Sequence, residues 1–197
     1  MKTRIFLLTL LISIMVPLAA RAIDQGTIDR MISLLQHFEW NQWGDGVFDD
    51  ITLYDGLQAV YAKSVNEEDD ILMRQVLWAI GETGLPFFAP TLIGSLQDEP
   101  ISACMALGKM ASVDGADALI GMLDNDDPQV RDAAAWGLGN VPYDSSMTEV
   151  RDRAISALNS RLQKETEDWV KETISGAIVY IQTGVATSAA FESAQNE

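Results

Sequence analysis

Asp127-Pro128-Gln129-Val130-Arg131-Asp132-Ala133-Ala134-Ala135-Trp136-Gly137-Leu138-Gly139 is the stretch that decides the fold. Asp127 offers a carboxylate to the unpaired amides of a helix start, and Pro128 suits the first turn, where its missing N–H costs nothing. Small apolar residues follow, and a helix is predicted over 130–141. The end of this stretch recurs as Val76-Leu77-Trp78-Ala79-Ile80-Gly81 and Ala103-Cys104-Met105-Ala106-Leu107-Gly108. From glycine to glycine the spacings are 27 and then 31 residues. A period of about 20 to 50 residues marks stacked helical repeats, in which each unit packs on its neighbours and leaves a surface for binding. The Leu-Gly pairs at 107–108 and 138–139 read as helix ends, because glycine takes left-handed backbone angles cheaply.

Working outward, Ile28, Met31, Ile32, Leu35 and Phe38 recur at helical spacing over 27–38. Trp40 to Asp50, with two glycines, breaks the pattern and reads as a loop. Thr52 is the expected cap of the next helix, in which Leu53, Leu57, Val60 and Tyr61 share a face. An acidic turn over 66–70 leads into the first repeated segment, and Gly84-Leu85-Pro86 ends that helix. Further helices are expected around Phe88–Leu96, Ser102–Met110, Ala116–Leu123, Val150–Leu162 and Trp169–Ile181. The last sets Val170-Lys171 where Val130-Arg131 stands, at a spacing of 40, with Val179 in place of the glycine. From Thr183 the residues turn small and polar and are read as a disordered tail.

The Asp127–Gly139 stretch resembles the short HEAT-like repeat of the phycobilin-lyase type, whose pattern runs Asp-Pro-x-Val-Arg-x-Ala-Ala-x-x-Ala-Leu-Gly. The resemblance extends over roughly residues 66 to 181, with degenerate copies ending at Gly81 and Gly108 and a weaker one at 170–181. It implies an all-α, right-handed α-α superhelix of about four to five helix pairs, the second helix of each pair lining the concave side. It also implies that the repeated arginine, here Arg131 and by analogy Arg74, bonds acids in the preceding turn. It implies no activity, since such repeats serve many proteins as scaffolds. Some proteins resembling this family hold metal through paired His-Glu motifs, but His37 is the sole histidine and is followed by Phe38. Bilin attachment does not suit an exported acidic chain. Neither a metal nor a cofactor is expected.

The N-terminus reads as a secretory signal peptide: Lys2 and Arg4, an apolar run from Ile5 to Val16, Pro17, then Ala20-Arg21-Ala22. That run is shorter than the ~20 residues a membrane span needs, so cleavage is expected after Ala22. The expected organisation is a signal peptide at 1–22, N-terminal helices and a capping loop at 23–65, HEAT-like repeats at 66–182 and a tail at 183–197. The 175 mature residues would carry ten basic and 29 acidic side chains, a formal charge of −19. Phosphate backbones and anionic lipid surfaces repel such a chain, which argues against nucleic acid and membrane partners and for a soluble monomer. Cys104 is the lone cysteine, so no internal disulfide forms, and its place opposite Ala135 suggests a small buried residue.

Three positions just before the Ala-Leu-Gly of the repeat hold large apolar residues: Trp78, Met105 and Trp136. A stripe of these along the inner face, with Asp132 beside it, is the expected partner-binding groove, and it requires all three to be well exposed. The alternative is that they fill gaps between repeats. The loop Trp40–Asp50 offers Trp40, Trp43 and Phe48 to a glycan or small hydrophobe, or else caps the first repeat. Asp124, Asp126 and Asp127, like Asp45, Asp49 and Asp50, lack calcium-loop spacing and read as turn and capping acids. Acid pairs at Glu67/Glu68 and Asp69/Asp70 suit a glycoside hydrolase in principle but sit in a solvated turn. No nucleophile–base pair is visible. The expectation is a periplasmic or secreted, non-catalytic adaptor for a protein or peptide, its acidic turns favouring a basic partner.

Overall fold

A computed structural model describes residues 23–36 and 50–184 of the chain. The expected signal peptide, the 40–48 loop and the tail beyond Gly184 lie outside these residues. Everything regular among them is helical, and the chain divides into two compact units at Glu67/Glu68.

The first unit is a helix pair, α1 (Gln25–Gln36) and α2 (Asp50–Glu67). Asp24 starts α1, its carboxylate accepting from the Thr27 backbone N–H at 3.0 Å and the Thr27 hydroxyl at 2.8 Å. Met31, Leu34 and Leu35 of α1 are buried, as are Leu57 and Val60 of α2. Gly56 leaves the space that the Met31 side chain fills; a Cβ there would sit 2.2 Å from its sulfur. Helix α2 begins at Asp50, so Thr52 lies inside it and is not its cap.

The second unit carries the repeats. Four helices, α3 (Asp70–Glu82), α5 (Pro100–Met110), α7 (Pro128–Asn140) and α9 (Asp168–Thr183), pack in succession as one layer, here called the long-helix layer, α3 on α5, α5 on α7 and α7 on α9. Between them run α4 (Ala89–Gly94), flanked by short 3₁₀ turns, α6 (Ala116–Met122) and α8 (Thr148–Leu162). The core lies between the two layers, where Phe88, Leu92, Leu107, Leu119, Leu138, Leu158 and Ile174 are fully buried. Cys104 is buried here too, and loss of solvation pushes its thiol up to about 12.

The helix starts follow the sequence closely. Asp127 accepts from the Gln129 N–H at 2.8 Å with Pro128 in the first turn, and Asp69 accepts from Leu72 N–H at 2.9 Å. The glycines differ from expectation. Gly108 and Gly139 lie inside α5 and α7 and do not end them; the left-handed glycines are Gly84 and Gly184. Helix α5 ends instead on Ala111, with φ 50°. A Cβ on Gly108 would stand 2.7 Å from Gly137 Cα and from the Trp136 ring, and one on Gly81 2.8 Å from Ala106 Cα. These glycines therefore serve close approach of neighbouring helices.

Arg131 also departs from the expected pattern. Its guanidinium reaches back to backbone carbonyls in the preceding turn, Asn125 and Asp126 at 2.9 and 2.8 Å, and not to acids there. The acid it bonds is Glu165, in the turn that follows α8, through two 2.8 Å contacts. Both residues are buried, at 6% and 5% exposure. Glu165 accepts in addition from Arg161 at 3.1 Å and from the N–H groups of Thr166 and Glu167 at 2.9 and 3.1 Å. The Arg131 hydrogen bonds, helped by these backbone donors, hold its carboxyl well below the usual range in spite of burial. Arg74 likewise reaches forward, to Glu99 at 3.1 Å, so each arginine bridges to the turn before the next long helix.

Candidate functional site

Helix α7 shows which way the long-helix layer opens. Along it only Pro128, Gln129, Asp132 and Asn140 keep appreciable exposure; the rest is packed on α5, α6 and α9. Positions 129, 132, 136 and 140 recur at helical spacing and so define one face. The same geometry opens Gln75, Trp78 and Glu82 on α3, Ile101, Met105 and Lys109 on α5, and Trp169, Glu172 and Thr173 on α9. An open strip thus runs across four stacked helices of the second unit.

The structure places Trp78 and Met105 on this strip, half-buried. Trp136 does not meet the expectation of high exposure. It lies on the same face of α7 but keeps only 7% exposure, because its ring leans across to the gap left by Gly108 on α5. It fills space between repeats, as the alternative reading had it. Trp78 is covered on one face by Lys109, whose Nζ stands 3.8 Å above the ring and 2.6 Å from a Glu82 carboxylate oxygen. Such a cation–π contact contributes about 0.5–1 kcal/mol at an exposed site.

Asp132 is half-buried at the same level of the strip. Burial raises its pKa, partly offset by the Thr173 hydroxyl that faces it from α9. One of its oxygens is buried without a hydrogen-bond partner. Gln75 Oε1 and Trp136 Nε1 are in the same condition. Sequence reasoning found Asp132 but missed Gln75, which nothing in its neighbourhood marks. At the N-terminal end of the strip the apolar Ile71 and Trp169 stand 65% and 44% exposed, at equivalent positions one residue into α3 and α9. Neither was singled out from the sequence.

Trp40, Trp43 and Phe48 lie outside the described residues. Of the acids weighed as catalytic or calcium-binding, Asp69 and Asp127 cap helices, Glu67 pairs with Lys63, and Asp124 stands 3.6 Å from Arg161. Among the described residues no three His, Cys, Asp or Glu side chains are grouped so as to hold a metal ion. No described helix is long and apolar enough to cross a membrane.

Residues 100–178, from the start of α5 into α9, match the family model described as HEAT repeats. No curated protein matches the chain in sequence. The match covers α5 to α9, so that part of the chain is similar to HEAT repeats, and the described residues of the second unit are an all-α stack of helices consistent with a helical-repeat solenoid.

Proposed function

We propose that this chain is an exported, non-catalytic adaptor that grips one protein or peptide on the open strip of its long helices. HEAT repeats generally mediate protein–protein interaction. The observation that carries the reading is the strip itself, where Trp78 and Met105 stay half-buried on stacked helices whose N-terminal ends expose Ile71 and Trp169. Large apolar and aromatic side chains at a surface are what hot spots are made of. The concave side of the superhelix is the docking face in this reading. Acids in the turns before the long helices, Asp69, Asp98, Glu99, Asp126, Asp127 and Glu167, steer a basic partner towards it.

Export rests on Lys2, Arg4, the Ile5–Val16 run and Ala20-Arg21-Ala22. The location is then the periplasm or the outside of the cell, and the mature protein is a monomer. Fractionation followed by N-terminal sequencing checks this, with a start at Ile23 expected.

The adaptor reading is tested by a pull-down from periplasmic extract with the mature protein, beside a Trp78→Ser/Met105→Ser variant of matched helicity. A partner retained only by the parent is the expected result. Equal retention by both would remove the strip from the reading, and retention of nothing by either would overturn the adaptor role.

A further inference from the structure

The open strip is richest in apolar side chains where α3 meets α5. Ile71, Gln75, Trp78 and Glu82 recur along one face of α3, and Ile101, Met105 and Lys109 along one face of α5. These faces meet across a seam. Lys109 Nζ stands 3.8 Å above the Trp78 ring and 2.6 Å from Glu82 at one end, and Arg74 reaches Glu99 at 3.1 Å at the other. The two helices therefore run in the same direction, with their N-termini together. Gly81 draws them close, since a Cβ there would stand 2.8 Å from Ala106 Cα. Ile71, 65% exposed, lies at the N-terminal mouth of the seam, and Trp78, Ile101 and Met105 line it further in, half-buried.

Spacing and charge indicate what lies along this seam. Ile71 and Trp78 are seven residues apart, about 10.5 Å along the helix axis. That is the distance from i to i+7 on a second helix, whose i+3 or i+4 side chain then falls between them, over Ile101. Glu68, Asp69, Asp70, Asp98 and Glu99 stand at the mouth, and the cation among them, Arg74, is engaged with Glu99. At the far end Lys109 and Glu82 offset each other. One end of the seam is thus strongly negative and the other neutral. The N-termini of α3 and α5 at the mouth also favour the C-terminal, partially negative end of an incoming helix, and cations in its last turn suit both that helix and the acids.

We infer that the α3–α5 seam docks an amphipathic helix of a partner protein, laid antiparallel to α3 and α5, with basic residues in its last turns at the acidic mouth. Apolar side chains at i, i+3 or i+4 and i+7 of that helix cover Ile71, Ile101, Trp78 and Met105. This rests on the adaptor reading and names the form, direction and charge of the partner.

The probes are two acetylated and amidated peptides of equal composition and equal leucine spacing, titrated calorimetrically into the purified protein. Gln-Ala-Leu-Gln-Ala-Leu-Leu-Ala-Gln-Leu-Lys-Lys-Leu-Leu-Lys-Lys carries its lysines in the last turns. Lys-Lys-Leu-Lys-Lys-Leu-Leu-Ala-Gln-Leu-Gln-Ala-Leu-Leu-Ala-Gln carries them in the first. The first peptide is expected to bind at least ten-fold more tightly, about 1.4 kcal/mol, with the difference shrinking at high salt. Ile71→Ser/Ile101→Ser is expected to weaken it at least ten-fold. Trp169→Ser removes an exposed apolar side chain of the same strip outside the seam and is expected to weaken it less than two-fold. Asp70→Asn/Asp98→Asn alters two exposed acids and is expected to erase the preference between the peptides. Unfolding temperatures check that each variant remains folded. Equal affinity for the two peptides, binding of neither, or equal weakening by Trp169→Ser and Ile71→Ser/Ile101→Ser would overturn the inference. A partner captured through Trp78 and Met105 but held equally by Ile71→Ser/Ile101→Ser would sink the helix in the seam while leaving the adaptor reading intact.

Discussion

Arg131 and Asp132 are neighbours on α7, and the first turns into the protein while the second turns to the open strip. Around Arg131 every guanidinium nitrogen finds a partner, among two Glu165 oxygens and two backbone carbonyls. Around Asp132 one carboxylate oxygen is left without any, and so is the indole N–H one turn later. Both residues sit on the same packed helix, so poor packing does not explain the difference. The Arg131 side is fully paired within the chain, whereas the Asp132 side keeps two buried polar atoms without a partner.

The complete side gives the largest expected effect. Arg131→Ala leaves Glu165 buried and without its main counter-charge, and removing one partner of a buried pair costs about 3–5 kcal/mol. Urea unfolding of the variant measures it. Replacing both residues by Met is expected to cost much less, since a well-packed apolar pair often matches a buried ionic one. A loss below about 1 kcal/mol for Arg131→Ala would show that the ionic seam is not what joins α7 to the turn before α9.

The seam between α5 and α7 supplies a second and smaller test. Gly108→Ala sets a Cβ 2.7 Å from Gly137 Cα and from the Trp136 ring, and overpacking of that kind costs about 1–3 kcal/mol. Gly121→Ala in α6 meets nothing within 4 Å, and is expected to stabilise by about 0.4–1 kcal/mol through the unfolded chain. Thermal unfolding of the two single variants decides the matter. If Gly108→Ala were as harmless as Gly121→Ala, close helix approach would not be the reason for glycine at that position. The same variant also displaces Trp136, so it is expected to alter the open strip as well as the stability.

Much of this was legible in the sequence, and the limits are physical. Asp127-Pro128 announced a helix start because capping is a local matter, settled within three residues, and the cap formed as read. The glycines misled because one letter serves two purposes. Gly84 supplies a positive φ, whereas Gly81 and Gly108 supply the lack of a side chain, and only Ala106 and Gly137 across the helix seam tell them apart. Arg131 was read as looking to its own turn, but its acid lies 34 residues later, beyond any local pattern. Trp136 was expected in solvent beside Trp78 and Met105; whether an indole folds inward depends on a gap one repeat away, left by Gly108. Asp132 was legible as a position, whereas its missing partner is a property of the packed layer.

The smallest expected effect is the opposite response of the two sides to pH. Glu165 has its folded pKa depressed, so the stability it contributes is present above its unfolded pKa of about 4.3 and is lost as pH falls below that towards the folded value. Asp132 has its folded pKa raised above the unfolded value of about 3.9, so between the two the folded state holds more protons. The stability attached to its protonated form is then present below about pH 3.9 and fades as pH rises through the folded pKa. At neutral pH the unpaired charge therefore works against folding, and Asp132→Asn is expected to raise the unfolding temperature by a few degrees at pH 7. At pH 3, where the parent carboxyl is itself protonated, the gain shrinks towards zero. The measurement is the difference in unfolding temperature between parent and Asp132→Asn across pH 3 to 7. A variant less stable than the parent at pH 7 would mean that the Thr173 hydroxyl stabilises the carboxylate by more than its burial costs, and the contrast with Arg131 would disappear.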